Sequence, residues 1–219
     1  MDVFFRSVVP ALPLFFEGML VTLQLCAIGF FGGVVVGAIL TFLGFLSPPT
    51  RWLSVAIVEF FRATPVYVGL VWVAYVWPEL FGWPGTAYEA ACVALVMQTG
   101  AYLSETFRGG ILAISKGQRE AASALGISPT AAAVRIVLPQ VLINSIPPLI
   151  NQLVVVFKSS TVVSVIGVQD LLFQANAVAN KYYEPLEPLT FVALIYIAII
   201  TLVSVSARGI EKRLRARFQ

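Results

Sequence analysis

Long apolar runs occupy most of this chain and leave little choice of fold. A helix needs about 20 consecutive, mostly apolar residues to cross the hydrocarbon core of a bilayer. Five runs reach that length, and they cover approximately residues 18–46, 53–77, 88–107, 136–157 and 189–207. The sequence therefore predicts an all-α polytopic membrane protein with five transmembrane helices.

Charge and side-chain chemistry exclude several other classes of protein. The mean hydropathy is +0.91 and only 11% of the residues are charged, whereas a soluble domain carries about 25% charged residues. The chain has no histidine, the commonest general base and metal ligand. Cys26 and Cys92 lie within apolar runs and lack the spacing of a metal site or a disulfide framework. We therefore predict no catalytic residue and no metal site, and we interpret both cysteines as packing residues.

Cationic residues cluster at one side of the predicted topology. They flank the loop after the first run, surround the polar segment after the third, and crowd the C-terminus as Arg208, Lys212, Arg213, Arg215 and Arg217. Loops rich in lysine and arginine stay in the cytoplasm, so the basic tail 208–219 is predicted to be cytoplasmic and, with five spans, the N-terminus to be outside. This topology and anchoring to membrane lipids account for the net charge of +3, so no nucleic-acid partner is predicted.

Residues 1–17 form a separate segment in this scheme. They contain Arg6, Pro10 and Pro13 and are too short and too interrupted to be a sixth span. We expect this segment to lie at the membrane interface. The transmembrane domain is then predicted to cover residues 18–207.

A polar segment, residues 116–135, interrupts the apolar pattern and is predicted to lie in the cytoplasm. One helix is expected from Lys116 to Leu125, where Gly126 ends it because glycine readily takes the left-handed conformation after a helix. A second helix is expected directly afterwards, with Ser128 as its N-cap and Pro129 at its first position. The prediction is a compact helical hairpin between the third and fourth spans.

Several ordered motifs extend across nearly the whole chain, approximately residues 18–211. The hairpin contains Glu120-Ala121-Ala122, then Gly126, Ile136 and Leu138-Pro139. Further motifs are Phe61-Arg62-Ala63-Thr64-Pro65, Gly100 to Glu105, Phe107 to Ile111, Ile146-Pro147-Pro148, Asn151-Gln152, Lys158-Ser159-Ser160 and Val163 to Gly167. The hairpin resembles the EAA loop of the membrane subunits of binding-protein-dependent ABC importers, and the other motifs resemble the polar amino-acid branch of that family.

This resemblance implies a function and a set of partners. The chain would be the permease subunit of an ATP-driven importer in a bacterial cytoplasmic membrane, forming half of the path for a polar amino acid or a close relative. Its partners would be two ATP-binding subunits, a second permease subunit, identical or paralogous, and an extracytoplasmic substrate-binding protein. The residues expected to couple it to the ATPase are Glu120, Ala121, Ala122, Leu125 and Gly126. The sequence has no phosphate-binding loop of the G-x-x-x-x-G-K-[ST] type, so ATP and Mg are expected on the partner and no cofactor on this chain.

Polar residues inside or between the apolar runs are candidates for the substrate pathway. Those selected are Arg62, Thr64, Asn151, Lys158, Ser160, Asp170 and Gln174. The segment 158–178 is predicted to line a cavity or to re-enter the bundle, because its polar backbone would otherwise meet lipid. The alternative is a helix on the outer surface with its polar side in water.

Ionisable residues at membrane depth suggest function, but pairing is an alternative for each. Asp170 is a candidate for the cationic end of a ligand and Lys158 or Ser160 for a carboxylate, whereas a Lys158–Asp170 ion pair would be structural. Arg62 is also three residues from Glu59 and can pair with it. Gln24, Gln98, Asn151 and Gln152 contact substrate or form interhelical hydrogen bonds.

Two other classes of protein remain open at this point. A self-sufficient secondary transporter or channel would commonly contain inverted repeats and ion-coupling carboxylates, and no convincing repeat is found. A membrane enzyme is disfavoured because histidine is absent and no nucleophile and base cluster.

Overall fold

The computed structural model describes the backbone of residues 6–218 and the side chains of residues 6–118 and 120–209. Within that part of the chain the structure is helical and contains no strand. The helices are α1 (Leu12–Leu46), α2 (Pro48–Ala63), α3 (Val66–Tyr75), α4 (Trp77–Phe81), α5 (Ala87–Leu112), α6 (Lys116–Ala124), α7 (Pro129–Ala132), α8 (Leu138–Ser160), α9 (Leu171–Tyr182) and α10 (Leu186–Phe218). Val9–Ala11 and Thr161–Ile166 are 3₁₀ turns, and Ala133–Val137 is a π turn.

Helix α1 begins at Leu12, earlier than the first span predicted from residue 18. Pro13 lies in its first turn, where a proline has no intrahelical hydrogen bond to lose. The helix therefore starts inside the segment 1–17, whose interfacial position stays a prediction. Residues 1–5 of that segment lie outside the described part of the chain.

The second predicted span, residues 53–77, is not one helix, and the expectation of a single helix there is wrong. Helices α2 and α3 meet at an angle of 112°. Thr64 is extended, with φ −78° and ψ 125°, and Pro65 follows it. A residue before proline is pushed out of the helical region, and proline cannot donate to the preceding turn. The apolar run therefore continues across a sharp bend between two helices.

Helix α5 lies in the middle of the bundle and contacts α1, α2, α3 and α8. It packs closely along α1, because glycines on both helices allow the backbones to approach. A Cβ at Gly37 would lie 2.9 Å from Leu103 Cβ and 3.0 Å from the Gly100 carbonyl oxygen. Thr41 joins the same helices by donating to the Ser104 carbonyl at 3.1 Å. Small residues on both helices therefore allow the close packing of α1 and α5.

Not every predicted span is apolar enough to be recognised by composition. Among the described residues, three helical stretches meet that test, Val9–Leu46, Pro129–Ile166 and Leu186–Gly209, and the bent pair α2–α3 would make a fourth. Helix α5 is 26 residues long, but it contains Glu89, Gln98, Glu105 and Arg108. Since other helices surround it, it need not present an apolar surface to lipid. The count of five spans stays a prediction.

The polar segment after α5 contains the expected helix boundaries. Helix α6 starts at Lys116, and Gly126 takes the left-handed conformation with φ 72°. The Ile127 amide donates to the Ala122 carbonyl and the Gly126 amide to the Ser123 carbonyl, each at 3.0 Å. This pair of bonds is a Schellman motif, which satisfies the last carbonyls of the helix. Ser128 caps α7 by accepting from the Ala131 amide at 3.3 Å, as predicted.

The second helix of this hairpin does not end before the fourth span. Helix α7 continues through the π turn Ala133–Val137 into α8 without a break. Pro139 lies in the first turn of α8, and a π turn provides the room that a proline ring needs in a continuing helix. The hairpin therefore consists of one separate helix, α6, and the N-terminal extension of the longer helix that contains α8.

Helix α10 extends beyond the predicted fifth span. Its backbone stays helical to Phe218, through the residues interpreted from the sequence as a basic tail.

Further core contacts support the interpretation of both cysteines as packing residues. Both cysteines are free; Cys26 is buried and Cys92 is half-buried, and Cys26 packs with Val156 and Phe157 of α8.

Candidate functional site

A cavity of about 330 Å³ lies where the break between α2 and α3 faces α5 and α8. Its volume is near the lower end of the range of small-molecule sites, about 300–1,000 Å³. It is lined by Arg62, Ala63, Thr64, Pro65 and Val66 at the break, Gln98, Thr99 and Tyr102 on α5, and Gln152, Val155, Val156 and Ser159 on α8. More than half of these residues have polar side chains, in a chain that is 59% hydrophobic.

Helix geometry brings the polar side chains of α5 and α8 to the same place. Gln152 and Ser159 are seven residues apart, with Val155 and Val156 between them, so these four residues follow one face of α8. Gln98 and Tyr102 are four apart on α5 and share a face in the same way. Each helix therefore contributes one polar stripe to the cavity wall.

The break at Thr64 and Pro65 supplies the third wall. Thr64 ends α2 with two hydrogen bonds to the Phe60 carbonyl, from its amide at 3.1 Å and from its hydroxyl at 2.7 Å. These bonds satisfy part of the helix end that the proline leaves open. Non-helical backbone within a membrane domain is tolerated where it lies against protein or a cavity rather than lipid. The break fits that condition.

Arg62 is the charged residue among those that line the cavity. Its Nη1 donates to Glu59 Oε1 at 3.2 Å, which confirms the pairing considered from the sequence. Its guanidinium carbon lies 5.8 Å from the centre of the Tyr102 ring, within the range of a cation–π contact. The Nε atom is buried and has no hydrogen-bond partner among the described residues. The Nε–H donor of the guanidinium is therefore unpaired.

Of the residues predicted for the substrate pathway, Arg62 and Thr64 line this cavity and the other five do not. Asn151 and Lys158 are exposed on α8. Ser160 is fully buried behind the wall, where it donates to the Phe157 carbonyl at 2.9 Å and lies 3.6 Å from Cys26 Sγ. Its neighbour Ser159 is the serine of this motif that reaches the cavity.

Asp170 is fully buried and acts as the N-cap of α9. Its Oδ1 accepts from the Phe173 amide at 2.8 Å, and its Oδ2 accepts from the Tyr196 hydroxyl at 3.4 Å. The structure describes the side chains of both Lys158 and Asp170. Lys158 is exposed, and no ion pair joins the two residues. The ion-pair alternative is therefore wrong in this structure. Both carboxylate oxygens already accept hydrogen bonds, one from α9 and the other from α10.

Helix α9 packs by one side and exposes the other; its position at the outer surface of the membrane stays a prediction. It buries Leu171, Gln174, Ala175, Val178 and Ala179 against α1 and α10. Its start is held by the Leu171 amide, which donates to Thr22 Oγ1 on α1 at 3.1 Å. Asn176, Asn180 and Lys181 lie on the exposed side. None of the residues 161–178 lines the cavity in the described structure.

The sequence indicates part of the cavity wall and misses another part. It leaves Gln98 and Gln152 open between substrate contact and interhelical hydrogen bonding, and it does not single out Thr99, Tyr102 or Ser159 for the pathway. The helical spacing of Gln152 and Ser159 was the available signal, because a polar pair at i and i+7 lies on one face. The cavity residues on α5 and at Pro65 are distant from this pair in sequence, so spacing along the chain does not connect them with it.

A second cavity, of about 400 Å³, lies between α1, α2 and α5. Glu59, Glu105, Arg108 and Arg51 are among the residues that line it. Arg108 pairs with Glu105 through two hydrogen bonds, one of them 2.9 Å from Nε to Oε1. The two residues are three apart on α5 and so share one face of the helix.

The hairpin presents a mixed surface at its tip. Leu125 is 79% exposed, and Glu120 and Ala121 are exposed beside it. Ala122 is buried, and Gln118 of α6 accepts a hydrogen bond from Gln140 Nε2 of α8 at 2.7 Å. The predicted coupling residues thus divide into an exposed group and one buried alanine.

Apolar helices of membrane-spanning length, a polar cavity among them and a hairpin with an exposed leucine define this chain as a membrane permease. The model of one family, the inner membrane component of binding-protein-dependent transport systems, matches residues 33–216. The chain belongs to this family and is the permease subunit of such an importer. ATP-binding and substrate-binding partners are therefore expected.

Known relatives match nearly the whole chain. The arginine transport system permease protein ArtQ of Bacillus subtilis (strain 168) is 32% identical over 217 residues, 99% of each chain. The glutamine transport system permease protein GlnP of Escherichia coli (strain K12) is 32% identical over 211 residues, 94% of this chain and 95% of its own. A crystal structure of an amino acid ABC transporter with histidines matches with a TM-score of 0.89 and 33% identity, over 95% of this chain and 98% of that one. The predicted family is confirmed.

Proposed function

We propose that this chain forms one half of an ATP-driven translocation pathway for a polar amino acid, and that the cavity between the α2–α3 break, α5 and α8 is part of that pathway. The observation that carries the proposal is the cavity itself, because it gathers polar side chains from three distant parts of an apolar chain. The relatives named for amino acids support the substrate class. Relatives named for arginine and for glutamine are equally identical to this chain, so similarity leaves the particular amino acid open.

The work of such a permease is differential binding rather than bond chemistry. A cavity that binds its ligand on one side of the membrane and releases it on the other needs two conformations with different access. The energy would come from ATP and Mg bound by two separate ATP-binding subunits. A second permease subunit, identical or paralogous, would complete the pathway, and an extracytoplasmic binding protein would deliver the amino acid.

The exposed tip of the hairpin is proposed as the contact with the ATP-binding subunit. Leu125 offers a large apolar side chain, Ala121 allows close approach, and Glu120 offers a charge to basic groups. Gly126 fixes the turn that presents them. Ala122 is buried, so it is not part of the exposed tip.

The proposed orientation places the hairpin and the C-terminus in the cytoplasm and the N-terminus outside. Labelling with a membrane-impermeant thiol reagent tests it, in a background in which Cys26 and Cys92 are replaced by alanine. Thr130→Cys on α7 should react only when the cytoplasmic side is opened, and Leu80→Cys on α4 should react from outside; both positions are exposed. The reverse pattern would contradict the orientation.

Uptake into proteoliposomes tests the function. The chain, reconstituted with its ATP-binding subunit, any paralogous permease subunit and its binding protein, should accumulate a labelled polar amino acid only with ATP inside. Omitting the ATP-binding subunit should abolish uptake. Uptake by this chain alone, driven by an ion gradient, would contradict the proposal and support the secondary transporter considered from the sequence.

A further inference from the structure

The guanidinium of Arg62 lines the cavity, and the described protein groups use only part of its hydrogen-bonding capacity. Nη1 is engaged by Glu59 at 3.2 Å, while Nε is buried and has no hydrogen-bond partner in the described structure. Buried donors are almost always paired, and an unpaired one is costly. The edge formed by Nε and Nη2 of an arginine matches the two oxygens of a carboxylate. The Arg62 side chain is 34% exposed, but Nε has no exposed surface of its own. An incoming carboxylate would therefore satisfy this donor once the guanidinium turns its Nε edge toward the cavity.

We propose that Arg62 receives the α-carboxylate of the transported amino acid, and that the cavity selects amino acids with a neutral polar side chain over those with a cationic one. This inference rests on the proposed function of the cavity and adds to it a binding residue and a substrate class. The sequence had suggested Lys158 or Ser160 for the carboxylate. Neither lines the cavity.

The charges of the wall decide the side-chain class. Arg62 lines the cavity, and the described lining residues include no aspartate or glutamate. Glu59, the carboxylate paired with Nη1, is not part of this wall, and its side chain is 62% exposed. A cationic side chain would enter without a counter-ion and would be repelled by Arg62, and burying an unpaired charge is strongly unfavourable.

A neutral polar side chain finds partners in the same wall. The amides of Gln98 and Gln152 each offer donors and acceptors, and the hydroxyls of Thr64 and Ser159 can do either. The α-ammonium group of the ligand needs acceptors alone, which the amide oxygens and the hydroxyls supply. A glutamine-like molecule therefore matches the cavity in charge at its carboxylate and in hydrogen bonding elsewhere.

Ligand binding to the assembled transporter, without the binding protein, tests this selection apart from that of the binding protein. The measured quantity is the rise in melting temperature of the purified complex as each probe is titrated. L-glutamine is expected to act at concentrations about tenfold to a hundredfold lower than L-arginine or the α-amide of glutamine, as expected for one charge-assisted interaction. Equal action of the α-amide would overturn the carboxylate assignment, and a preference for L-arginine would overturn the side-chain class.

Variants separate the guanidinium from the ion pair to which it belongs. Arg62→Gln should abolish the response to L-glutamine, and Arg62→Lys should retain part of it. Glu59→Gln removes the same ion pair but keeps the guanidinium, so it should respond like the unmodified protein. A normal response in Arg62→Gln would overturn the proposal. If that variant fails to assemble, the α-amide comparison in the unmodified complex still decides.

A separate variant tests the selection of ligands with a neutral side chain over those with a cationic one. Gln152→Glu adds a carboxylate to the wall and should shift the preference from L-glutamine toward L-arginine by about tenfold or more. Gln118→Glu, outside the cavity on α6, should leave the preference unchanged. An unshifted preference in Gln152→Glu would contradict selection by wall charge.

Failure of this inference and failure of the proposed function give different results. If the transporter imports an amino acid with ATP but Arg62→Gln or the probe series behaves contrary to expectation, the pathway stands and the role of Arg62 is wrong. If the unmodified protein shows no ATP-dependent uptake of any amino acid, the proposed function itself is wrong.

Discussion

Two ionisable residues inside this permease illustrate how differently the same chemistry can be used. Asp170 is surrounded by groups of its own chain, with the Phe173 amide and the Tyr196 hydroxyl on its two oxygens. Arg62 keeps a buried donor without a partner beside a polar cavity. The first arrangement is complete without a ligand, and the second is not. Asp170 is therefore interpreted as a structural residue, whereas the binding role of Arg62 is our proposal.

The cap provided by Asp170 should be measurable as stability. Asp170→Ala leaves the Phe173 amide and the Tyr196 hydroxyl without their acceptor, and loss of an N-cap costs about 0.5–2 kcal/mol. We expect a lower melting temperature of the purified complex. Asp170→Asn keeps an oxygen that can cap the helix, and it should lose less. An unchanged melting temperature in Asp170→Ala would contradict the structural role, and altered amino-acid preference in Asp170→Asn would restore the ligand contact suggested by the sequence.

At the scale of single residues the sequence predicts chemistry better than location. Asp170 was selected because an ionisable group at membrane depth is costly, which is true of a cap as well as of a ligand contact. Its partner Tyr196 is on another helix, so spacing along the chain gives no warning of the contact. The motif selects Arg62 and Thr64 for the substrate pathway, and both line the cavity. The unpaired Nε is visible only when Glu59 and Tyr102 are placed around Arg62.

Between helices, the central packing depends on close approach of α1 and α5. Gly37→Ala would place a Cβ 3.0 Å from the Gly100 carbonyl oxygen and 3.1 Å from the Ser104 amide nitrogen, and backbone atoms cannot move aside as a flexible side chain can. Overpacking of this kind costs about 1–3 kcal/mol. Thermal unfolding of the purified complex should show this loss. Gly44→Ala on the same helix, with its nearest atom at 4.0 Å, is the matched control, and an equal loss there would contradict the packing argument.

The hairpin depends on the conformation of one residue rather than on space. A Cβ at Gly126 or at Gly117 would meet nothing within 4 Å, but only Gly126 has a positive φ, 72°. The left-handed conformation costs about 1–2 kcal/mol for a residue with a Cβ, which corresponds to roughly 5–30-fold in the population of the correct hairpin. Gly126→Val should therefore reduce recovery of the ATP-binding subunit and the stimulation of ATP hydrolysis by the binding protein.

Gly117→Val on α6 should leave both quantities near those of the unmodified protein. Membrane insertion should be unaffected in either variant. If Gly126→Val retains full recovery and full stimulation, the hairpin has no coupling role.

Helix ends were predicted where the sequence contains chemistry specific to them. Gly126, Ser128 and Pro129 each favour one conformation, and the structure has that conformation at each position. The break at Pro65 was missed because hydrophobicity continues across it, and the run was interpreted by length alone. The sequence does not predict the continuation of α7 into α8, because the boundary between residues 135 and 136 follows the change from polar to apolar side chains. The backbone stays helical across that boundary through the π turn.

For the whole molecule, the all-α membrane class and the family followed from apolar runs and ordered motifs, and the family is confirmed by the relatives. The cavity did not follow, because it needs three segments that are distant in sequence to meet at one depth. Polarity along a single helix marks a face, but the face that it meets is decided by packing of the bundle. The proposed centre of the pathway is therefore a property of the assembled helices.

Chemical modification of the cavity tests that centre most directly. Ser159→Cys, in a protein with Cys26 and Cys92 replaced by alanine, is treated with a thiol reagent in proteoliposomes, and ATP-driven uptake of the amino acid that it imports best is measured. Modification should abolish uptake, an excess of that amino acid should slow the modification, and Thr190→Cys, exposed on α10, should be modified without loss of transport. Full uptake after complete modification of Ser159→Cys would contradict a pathway through this cavity.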